Sequence, residues 1–180
     1  MVIFWSFFTY SFLGYGLEKA YARLTRSSRQ TRKGFLLLPL CPVYGLAMTA
    51  LLAMPPTLRI GWALPVTGAV VCTAVEYAVH WFYDAVFSVR FWDYSDVPGN
   101  WRGRVCLPFS LAWGLLSALA VLWVQPLVEA AALVLPPLAG YGLLLLLTAD
   151  VLLSSRLLYR THDTELLSLR RLRRVFSDPR

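Results

Sequence analysis

Three carboxylates lie inside long apolar stretches of the chain: Glu18, Glu76 and Asp150. An ionisable group inside a bilayer costs several kcal/mol unless it is paired or hydrated, so such groups commonly mark a functional site. At the rise of an α-helix, Asp150 lies roughly 9 Å from one end of its helix, and Glu76 lies roughly 25 Å from the opposite membrane face. Glu18 lies about one turn from its helix end. We expect all three in the same half of the membrane, as functional groups or, alternatively, as structural ion-pair partners.

A stripe of polar side chains surrounds the second of these carboxylates. Cys72, Glu76, His80 and Asp84 recur every four residues, so they share one face of a helix. A histidine between two carboxylates can relay protons or contribute to a metal site. One helix does not supply a complete ligand set, so we predict no metal and no cofactor. The structural alternative is that Glu76 and His80 pair with each other or with arginines to hold a bundle.

Residues 90–104 form a connection rich in aromatic and hydrogen-bonding side chains. The candidates for substrate binding or coupling in this connection are Trp92, Asp93, Tyr94, Asn100 and Arg104. Asp93 can cap a turn through the local backbone, and the run Pro98-Gly99-Asn100 is typical of turns. Trp and Tyr are also ordinary anchors at the membrane interface, which is the alternative interpretation.

A second unusual segment has prolines close together in an apolar run. Pro39, Cys41, Pro42 and Gly45 predict a break in the helical backbone, because each proline removes a backbone donor and glycine follows within a turn. Irregular backbone at membrane depth is tolerated when it is buried in protein or lines a wet cavity. Transporters often place such broken helices at their substrate sites. The alternative is a helix start near the interface that proline has loosened.

The composition places all of these residues in a membrane protein. Of the 180 residues, 15% are charged and 58% are apolar, with a mean hydropathy of +0.57, whereas soluble domains are about a quarter charged. No P-loop motif is present, so ATP-driven activity requires a partner subunit. The three cysteines, Cys41, Cys72 and Cys106, are odd in number, which favours packing between helices over a disulfide framework.

The apolar runs predict an all-α membrane protein with about five transmembrane helices. The expected helices cover residues 2–23, 35–54, 60–87, 105–124 and 136–159. The first has neither a preceding basic region nor a small-residue cleavage site, so we expect it to be retained. Residues 127–135 are expected to form a short interfacial or re-entrant piece. We expect residues 1–160 to be one transmembrane domain and residues 161–180 a basic tail, either an amphipathic helix on anionic lipid or solvated chain.

Basic residues alternate between the connections. Lys and Arg number six, one, three and none in the four successive connections and seven in the end of the fifth helix with the tail, which accounts for all 17. Cytoplasmic connections are enriched in these residues. The alternation therefore predicts an outside N-terminus and a cytoplasmic C-terminus, and it makes a membrane topology a better explanation of the net charge of +7 than nucleic-acid binding.

These residues resemble the CmpB-like family of ABC-transporter permeases, also called type IV. The matching motifs are Gly14-x-x-x-Glu18, residues 34–45, Glu76-Tyr77, residues 92–95 and residues 98–107. Their order and spacing hold from residue 10 to about residue 115. The chain differs from the family pattern at Leu38, Asp84, Gly99 and Arg102. The resemblance implies a membrane-embedded, permease-like protein and names no substrate.

The favoured function is transport through a polar site that opens to the cytoplasm. Asn100 and Arg104 would bind a polar or anionic group, and Glu76 would sense a proton or cation. One alternative is an enzyme acting on a lipid or isoprenoid head group, with Asp93, Tyr94, Asn100 and Arg104 as its site and Glu76 or His80 as its base. The other is an accessory subunit. We expect a multi-pass location in the bacterial plasma membrane, and membrane lipid, an ATPase subunit and a second copy as partners.

Overall fold

The computed structural model describes residues 1–25 and 34–167. Most of the described chain is helical, and the helices are α1 Val2–Leu24, α2 Pro42–Leu52, α3 Ala63–Phe87, α4 Leu107–Leu119, α5 Gln125–Val134 and α6 Pro137–Thr161. Single 3-10 turns occupy Pro56–Arg59 and Thr164–Leu167. A small antiparallel hairpin joins α3 to α4, with strands β1 Asn100–Trp101 and β2 Val105–Cys106. The predicted all-α class is thus correct apart from this hairpin.

Three described helices are long and apolar enough to cross a membrane, namely Ala63–Phe87, Leu107–Val134 and Pro137–Thr161. The first helix has 23 residues but is more polar, with Ser6, Thr9 and Ser11 among its side chains. The 11 residues of α2 extend about 16 Å, roughly half of a 30 Å hydrocarbon core. A count of five crossings and the orientation of the termini therefore stay predictions.

The fourth helix continues past the proline that was expected to end it. Residues 120–124 form a π-helical turn that joins α4 directly to α5. Pro126 lacks a backbone donor and its ring would crowd the preceding turn of an α-helix. The wider turn absorbs this conflict, because a π-helix bonds each donor to the fifth residue before it. Residues 127–134 therefore belong to this long helix, and the prediction of a separate interfacial piece was wrong.

The second helix is shorter than the predicted range of residues 35–54. Its first turn contains Pro42, and residues 35–39, which include Pro39, form a series of bends. The carboxylate of Asp150 on α6 accepts hydrogen bonds from the backbone amides of Leu37 and Leu38, at 3.1 and 2.8 Å. The irregular segment thus obtains from α6 the acceptors that a helix would have supplied internally.

Small residues bring the helices close together. The main packing pairs are α3 with α4, α1 with α2, and α2 with α3. A Cβ added at Gly114 on α4 would lie 2.6 Å from the carbonyl oxygen of Pro65 on α3, and a Cβ at Gly45 on α2 would lie 2.6 Å from the carbonyl oxygen of Phe7 on α1. Without a hydrophobic driving force between helices in lipid, such close backbone approach provides the packing energy.

The end of α6 returns to the end of α3. His162 ends α6 in the left-handed conformation, with φ of 49°. Its Nδ1 lies 2.7 Å from the carbonyl oxygen of Phe87 and donates a hydrogen bond to it. The predicted basic amphipathic tail falls mainly on residues 168–180, outside the described residues.

Candidate functional site

The carboxylate of Glu76 is the most buried acidic group of the candidate site, with 5% of the residue exposed. The hydroxyl of Tyr94, in the α3–α4 connection, donates a hydrogen bond to Oε1 at 3.0 Å. The indole of Trp113, on α4, donates to Oε2 at 2.8 Å. Two neighbouring elements therefore orient this side chain on α3. Hydrogen bonds to a charged group are stronger than neutral ones, which helps to offset the cost of burying the carboxylate.

Glu18 is linked to the same region through an aromatic pair. The hydroxyl of Tyr44 on α2 donates a hydrogen bond to Glu18 Oε1 at 3.0 Å. The Tyr44 ring packs against Trp113, with centroids 4.9 Å apart. Gly14, one turn before Glu18, makes this possible, because a Cβ there would overlap the Tyr44 ring. The glycine and the glutamate of the Gly14-x-x-x-Glu18 motif thus serve the same contact.

Two adjoining cavities meet at these side chains. Their volumes are about 60 and 280 Å³, and both are lined by Glu18, Tyr44, Glu76, Tyr94 and Trp113. We call these five residues the dicarboxylate site. The smaller cavity is also lined by Cys41, Pro42 and Trp92, so the broken segment before α2 contributes to it. The arrangement provides hydrogen-bond acceptors from two carboxylates against apolar and aromatic walls.

Two members of the dicarboxylate site were missed in the sequence. Tyr44 lies in the 34–45 motif, which is a signal that could have identified it. Trp113 lies in a uniformly apolar helix, and no spacing distinguishes it from the other six tryptophans. Its importance follows from the packing of α4 on α3.

The connection between α3 and α4 is a tightly bonded unit. Arg102 and Gly103 have φ of 54° and 67°, and the amide of Arg104 donates to the carbonyl of Trp101 at 3.1 Å. Two successive left-handed residues form a type I′ turn, and the pairing of Trp101 with Val105 encloses three residues in the loop. The side-chain amide of Asn100 donates to the carbonyls of Ser95 and Val97, and its oxygen accepts the Gly103 amide. Asn100 is therefore used within the connection itself.

Asp93 closes another turn of this connection. Its carboxylate accepts hydrogen bonds from the hydroxyl of Ser95 and, at 2.9 Å, from the backbone amide of Ser95. Arg90 lies 3.9 Å from the other carboxylate oxygen. The Ser95 hydroxyl first, then the Ser95 amide and the charge of Arg90, hold the pKa of Asp93 below its ordinary value of 3.8.

Arg104 joins this connection to α3. Its guanidinium lies 3.0 Å from Oδ2 of Asp84 and above the ring of Tyr77, 5.3 Å from the centroid. Arg90 also reaches Asp84, at 3.4 Å. A charge-assisted hydrogen bond of this kind orients both partners, so the Asp84–Arg104 pair holds the connection in place beside Glu76. Neither residue lines the two cavities.

His80 bonds to the connection as well. Its Nε2 lies 3.0 Å from the carbonyl oxygen of Trp92 and donates to it, and the two rings meet edge to face, 5.2 Å apart. The Trp92 indole donates in turn to the carbonyl of Arg104 at 3.0 Å. Buried Nδ1 of His80 has no hydrogen-bond partner among the described residues, and within the same described ranges no group of three or more His, Cys, Asp or Glu is placed to hold a metal ion.

Asp150 has other partners than Glu18 and Glu76 and is not among the residues that line the two cavities. Besides the amides of Leu37 and Leu38, its carboxylate accepts a hydrogen bond from Ser154 at 3.1 Å. The three carboxylates singled out in the sequence therefore divide into two that line the cavities and one that holds the irregular segment.

A second polar cluster lies around the π-helical turn. The Gln125 oxygen accepts hydrogen bonds from Ser6 and Tyr10, at 3.3 and 3.1 Å, and its amide donates to Glu129 at 3.0 Å. The Tyr10 hydroxyl also lies 3.1 Å from the carbonyl of Ala120 in the π turn. π-Helical turns are frequent at functional sites. The sequence indicated this cluster only through a glutamate in an apolar run, which was overlooked.

The apolar helices, with buried carboxylates between them, define an α-helical membrane protein. A family model described as "putative ABC-transporter type IV" matches residues 5–155, and the chain belongs to this family. The resemblance found in the sequence motifs is thereby confirmed, and it extends into α6. No curated protein and no solved structure matches the chain.

Proposed function

We propose that this chain is a permease subunit that binds its substrate at the dicarboxylate site and works with a separate ATPase. The observation that best supports this proposal is the position of Glu76. It is buried within α3, oriented by donors from two other elements, and lines both cavities. A carboxylate that only held the helices together would be more effective away from a cavity. Water in a cavity raises the local dielectric constant and so weakens the attraction between the carboxylate and its partner.

The site is proposed to open to the cytoplasm. The α3–α4 connection contains Arg90, Arg102 and Arg104, and connections rich in arginine are retained on the cytoplasmic side. Tyr94 and Trp92 of this connection line the smaller cavity. The route from the cytoplasm to Glu76 would therefore pass this connection, in a plasma membrane that the chain crosses several times.

The same connection is the proposed docking surface for the ATPase. Its interior is anchored by the Tyr94–Glu76 hydrogen bond and the Arg104–Asp84 ion pair. Its tip presents Trp101, which is 69% exposed, and exposed aromatic residues are typical anchors of protein interfaces. A partner that moved this rigid connection would shift Tyr94 relative to Glu76. With so few helices, the subunit is also expected to pair with a second copy.

The test is ATP-dependent accumulation in inside-out membrane vesicles that contain the tagged chain and its co-purifying ATPase. Vesicles are incubated with a cytosolic extract, and their contents are compared with and without ATP by mass spectrometry. Glu76→Gln is expected to reduce accumulation of the ATP-dependent compounds at least tenfold at equal protein abundance. Glu129→Gln is the matched control, because Glu129 is another carboxylate in a spanning helix and bonds to Gln125, away from the site.

Three results would count against this proposal. Unchanged accumulation in the Glu76→Gln vesicles would exclude the site, and failure to recover any ATPase would exclude the mechanism. Equal loss of abundance in both variants would favour an accessory subunit. The enzyme alternative has weaker support, because Asp93, Asn100 and Arg104 are all engaged in holding the connection. It predicts instead that a deletion strain accumulates a lipid precursor.

A further inference from the structure

An apolar groove runs between α3 and α4 and reaches the hairpin that joins these two helices. Its volume is about 590 Å³, and its walls include Val70 and Tyr77 of α3, Leu111 of α4 and Trp101 of the hairpin. None of the residues that line it also lines the two cavities of the dicarboxylate site. The groove is therefore a separate feature of the fold, and what it binds is independent of the proposed function.

Small side chains keep the groove open near the hairpin. Further along the same helices the packing is tight, because a Cβ added at Gly68 on α3 would lie 2.5 Å from the Cβ of Ser117 on α4. About two turns nearer the hairpin, the groove is lined by Ala74 of α3 and Ser110 of α4. These side chains are too small to fill the space between the helices, so a ligand has room there.

The groove has the dimensions of one acyl chain. It extends along α3 from Tyr77 to Ala69, and eight residues of helix rise about 12 Å, against about 15 Å for half of a hydrocarbon core. Tyr77 lies beside Trp101, with ring centroids 6.5 Å apart. Because Tyr and Trp are enriched where lipid chains meet head groups, we place this end of the groove at the level of the head groups.

The head-group end of the groove is rich in hydrogen-bond donors. The Tyr77 oxygen accepts a hydrogen bond from Arg104 at 3.3 Å, so the hydroxyl proton of Tyr77 is available to a ligand. The residue Trp101 is 69% exposed, with its indole N–H unbonded within the described ranges. Arg102, the next residue, is exposed and forms no ion pair with any described residue. No described Asp or Glu lines the groove, so this end suits a ligand with acceptor oxygens and negative charge.

We propose that this groove binds an anionic phospholipid of the cytoplasmic leaflet. One acyl chain lies between α3 and α4, Tyr77 and Trp101 donate hydrogen bonds to phosphate or ester oxygens, and Arg102 balances the net negative charge. The α3–α4 connection is expected on the cytoplasmic side, where basic side chains meet anionic head groups. A small soluble anion would leave the apolar walls uncovered, so an amphipathic ligand fits better. The bound lipid would hold the hairpin against both helices.

The experiment uses the full chain in phosphatidylcholine nanodiscs, one chain in each disc, with a small fraction of a photoactivatable lipid. The probe is phosphatidylglycerol with a diazirine in one acyl chain, and phosphatidylcholine with the same chain is the zwitterionic comparison. Cross-linked residues are mapped by mass spectrometry. Val70, Leu111 and, on α6, Leu145 are 65%, 64% and 72% exposed, so general contact with lipid would label them alike. The phosphatidylglycerol probe is expected to label Val70 and Leu111 at least threefold more than Leu145.

One pair of variants tests the groove and another tests the charge. Ala74→Trp places a large side chain in the groove and is expected to reduce groove labelling at least tenfold. Ala149→Trp, at an exposed alanine of α6, adds the same side chain elsewhere and should leave labelling unchanged. Arg102→Gln should reduce labelling by phosphatidylglycerol to that by phosphatidylcholine, whereas Arg102→Lys keeps the charge and should keep the preference. Arg156→Gln, at an exposed arginine of α6, is the matched control for charge and should also keep it.

Groove labelling no stronger than that of Leu145 would overturn the proposal, as would equal labelling of the wild-type groove by both probes. If Arg156→Gln removed the preference as fully as Arg102→Gln, anionic lipid would be attracted by the charge of the whole protein, and the site would be excluded. Discs that hold two chains, or one chain with its ATPase, test the other occupants. Loss of groove labelling in these discs would show that protein covers the groove, and it would also overturn the proposal.

Discussion

The hydroxyl of Tyr94 lies 3.0 Å from Oε1 of Glu76 and donates a hydrogen bond to it. This contact joins the connection between two helices to a carboxylate inside the preceding helix. If Tyr94 or Glu76 moved alone, the buried carboxylate would lose one hydrogen-bond donor. The conformation of the connection and the orientation of Glu76 therefore depend on each other. The predictions below test the contacts that maintain this relationship.

Removing the Tyr94 hydroxyl is expected to destabilise the protein. Tyr94→Phe keeps the ring, which stacks on Phe109, and removes a donor to a buried charge, at a cost of about 1–3 kcal/mol. The free energy of unfolding can be measured by titration with SDS in mixed micelles. Tyr141→Phe on α6, where the residue is 66% exposed, should change it by much less. Equal effects of the two substitutions would mean that the contact contributes nothing.

Asp150→Asn is expected to loosen the irregular segment before α2. In asparagine one carboxylate oxygen is replaced by an NH2 group, which cannot accept a hydrogen bond from a backbone N–H. Either the Leu37 or the Leu38 backbone N–H therefore loses its acceptor. Hydrogen exchange at these two amides should become at least tenfold faster. Asp96→Asn, at an exposed aspartate, should leave it unchanged. Retained protection in Asp150→Asn would contradict the assigned role.

Gly103→Ala is expected to cost more stability than Gly61→Ala. Both glycines have positive φ, 67° and 53°, so alanine is strained by about 1–2 kcal/mol at either position. Only at Gly103 would the added Cβ also collide, lying 2.5 Å from the Ser95 hydroxyl and 2.6 Å from Oδ1 of Asp93. A further cost of about 1–3 kcal/mol is expected for this overlap. Unfolding titrations that give equal losses would show that the connection rearranges freely.

The stability of the α3–α4 connection should depend on pH, because Asp93 is ionisable and closes one of its turns. The hydrogen bonds from Ser95 lower the pKa of Asp93 below 3.8 in the folded protein, so the ionised form is favoured by folding. The resulting stabilisation is complete above the ordinary pKa and is lost as the pH falls through the lowered folded value. An NMR titration of the Asp93 carboxyl group should give a pKa below 3.8 in the folded protein. The variant Ser95→Ala should raise the pKa of Asp93 towards 3.8. A pKa that does not change in this variant would contradict the assigned cause.

Several elements of the fold were predictable because their signals are local. The ranges of the first, third and last helices follow from continuous apolar runs, and the observed ends lie within a few residues of the expected ones. The end of the fourth helix was mispredicted. Whether a helix stops or widens at Pro126 depends on its neighbours, and here Tyr10 of α1 supports the π turn through the carbonyl of Ala120.

The sequence by itself determined that the chain is a membrane protein and that Glu18 and Glu76 are exceptional in it, because hydrocarbon excludes charge and a glutamate in an apolar run is therefore visible in isolation. Only the tertiary structure decided what these carboxylates meet. The contacts of Glu76 with Tyr94 and Trp113 join residues 18 and 37 positions away, and they depend on how α4 and the connection pack on α3. The same packing assigned Asp150 to the irregular segment and formed the two cavities at Glu18 and Glu76, since no local pattern specifies which helix faces approach closely and which stay apart.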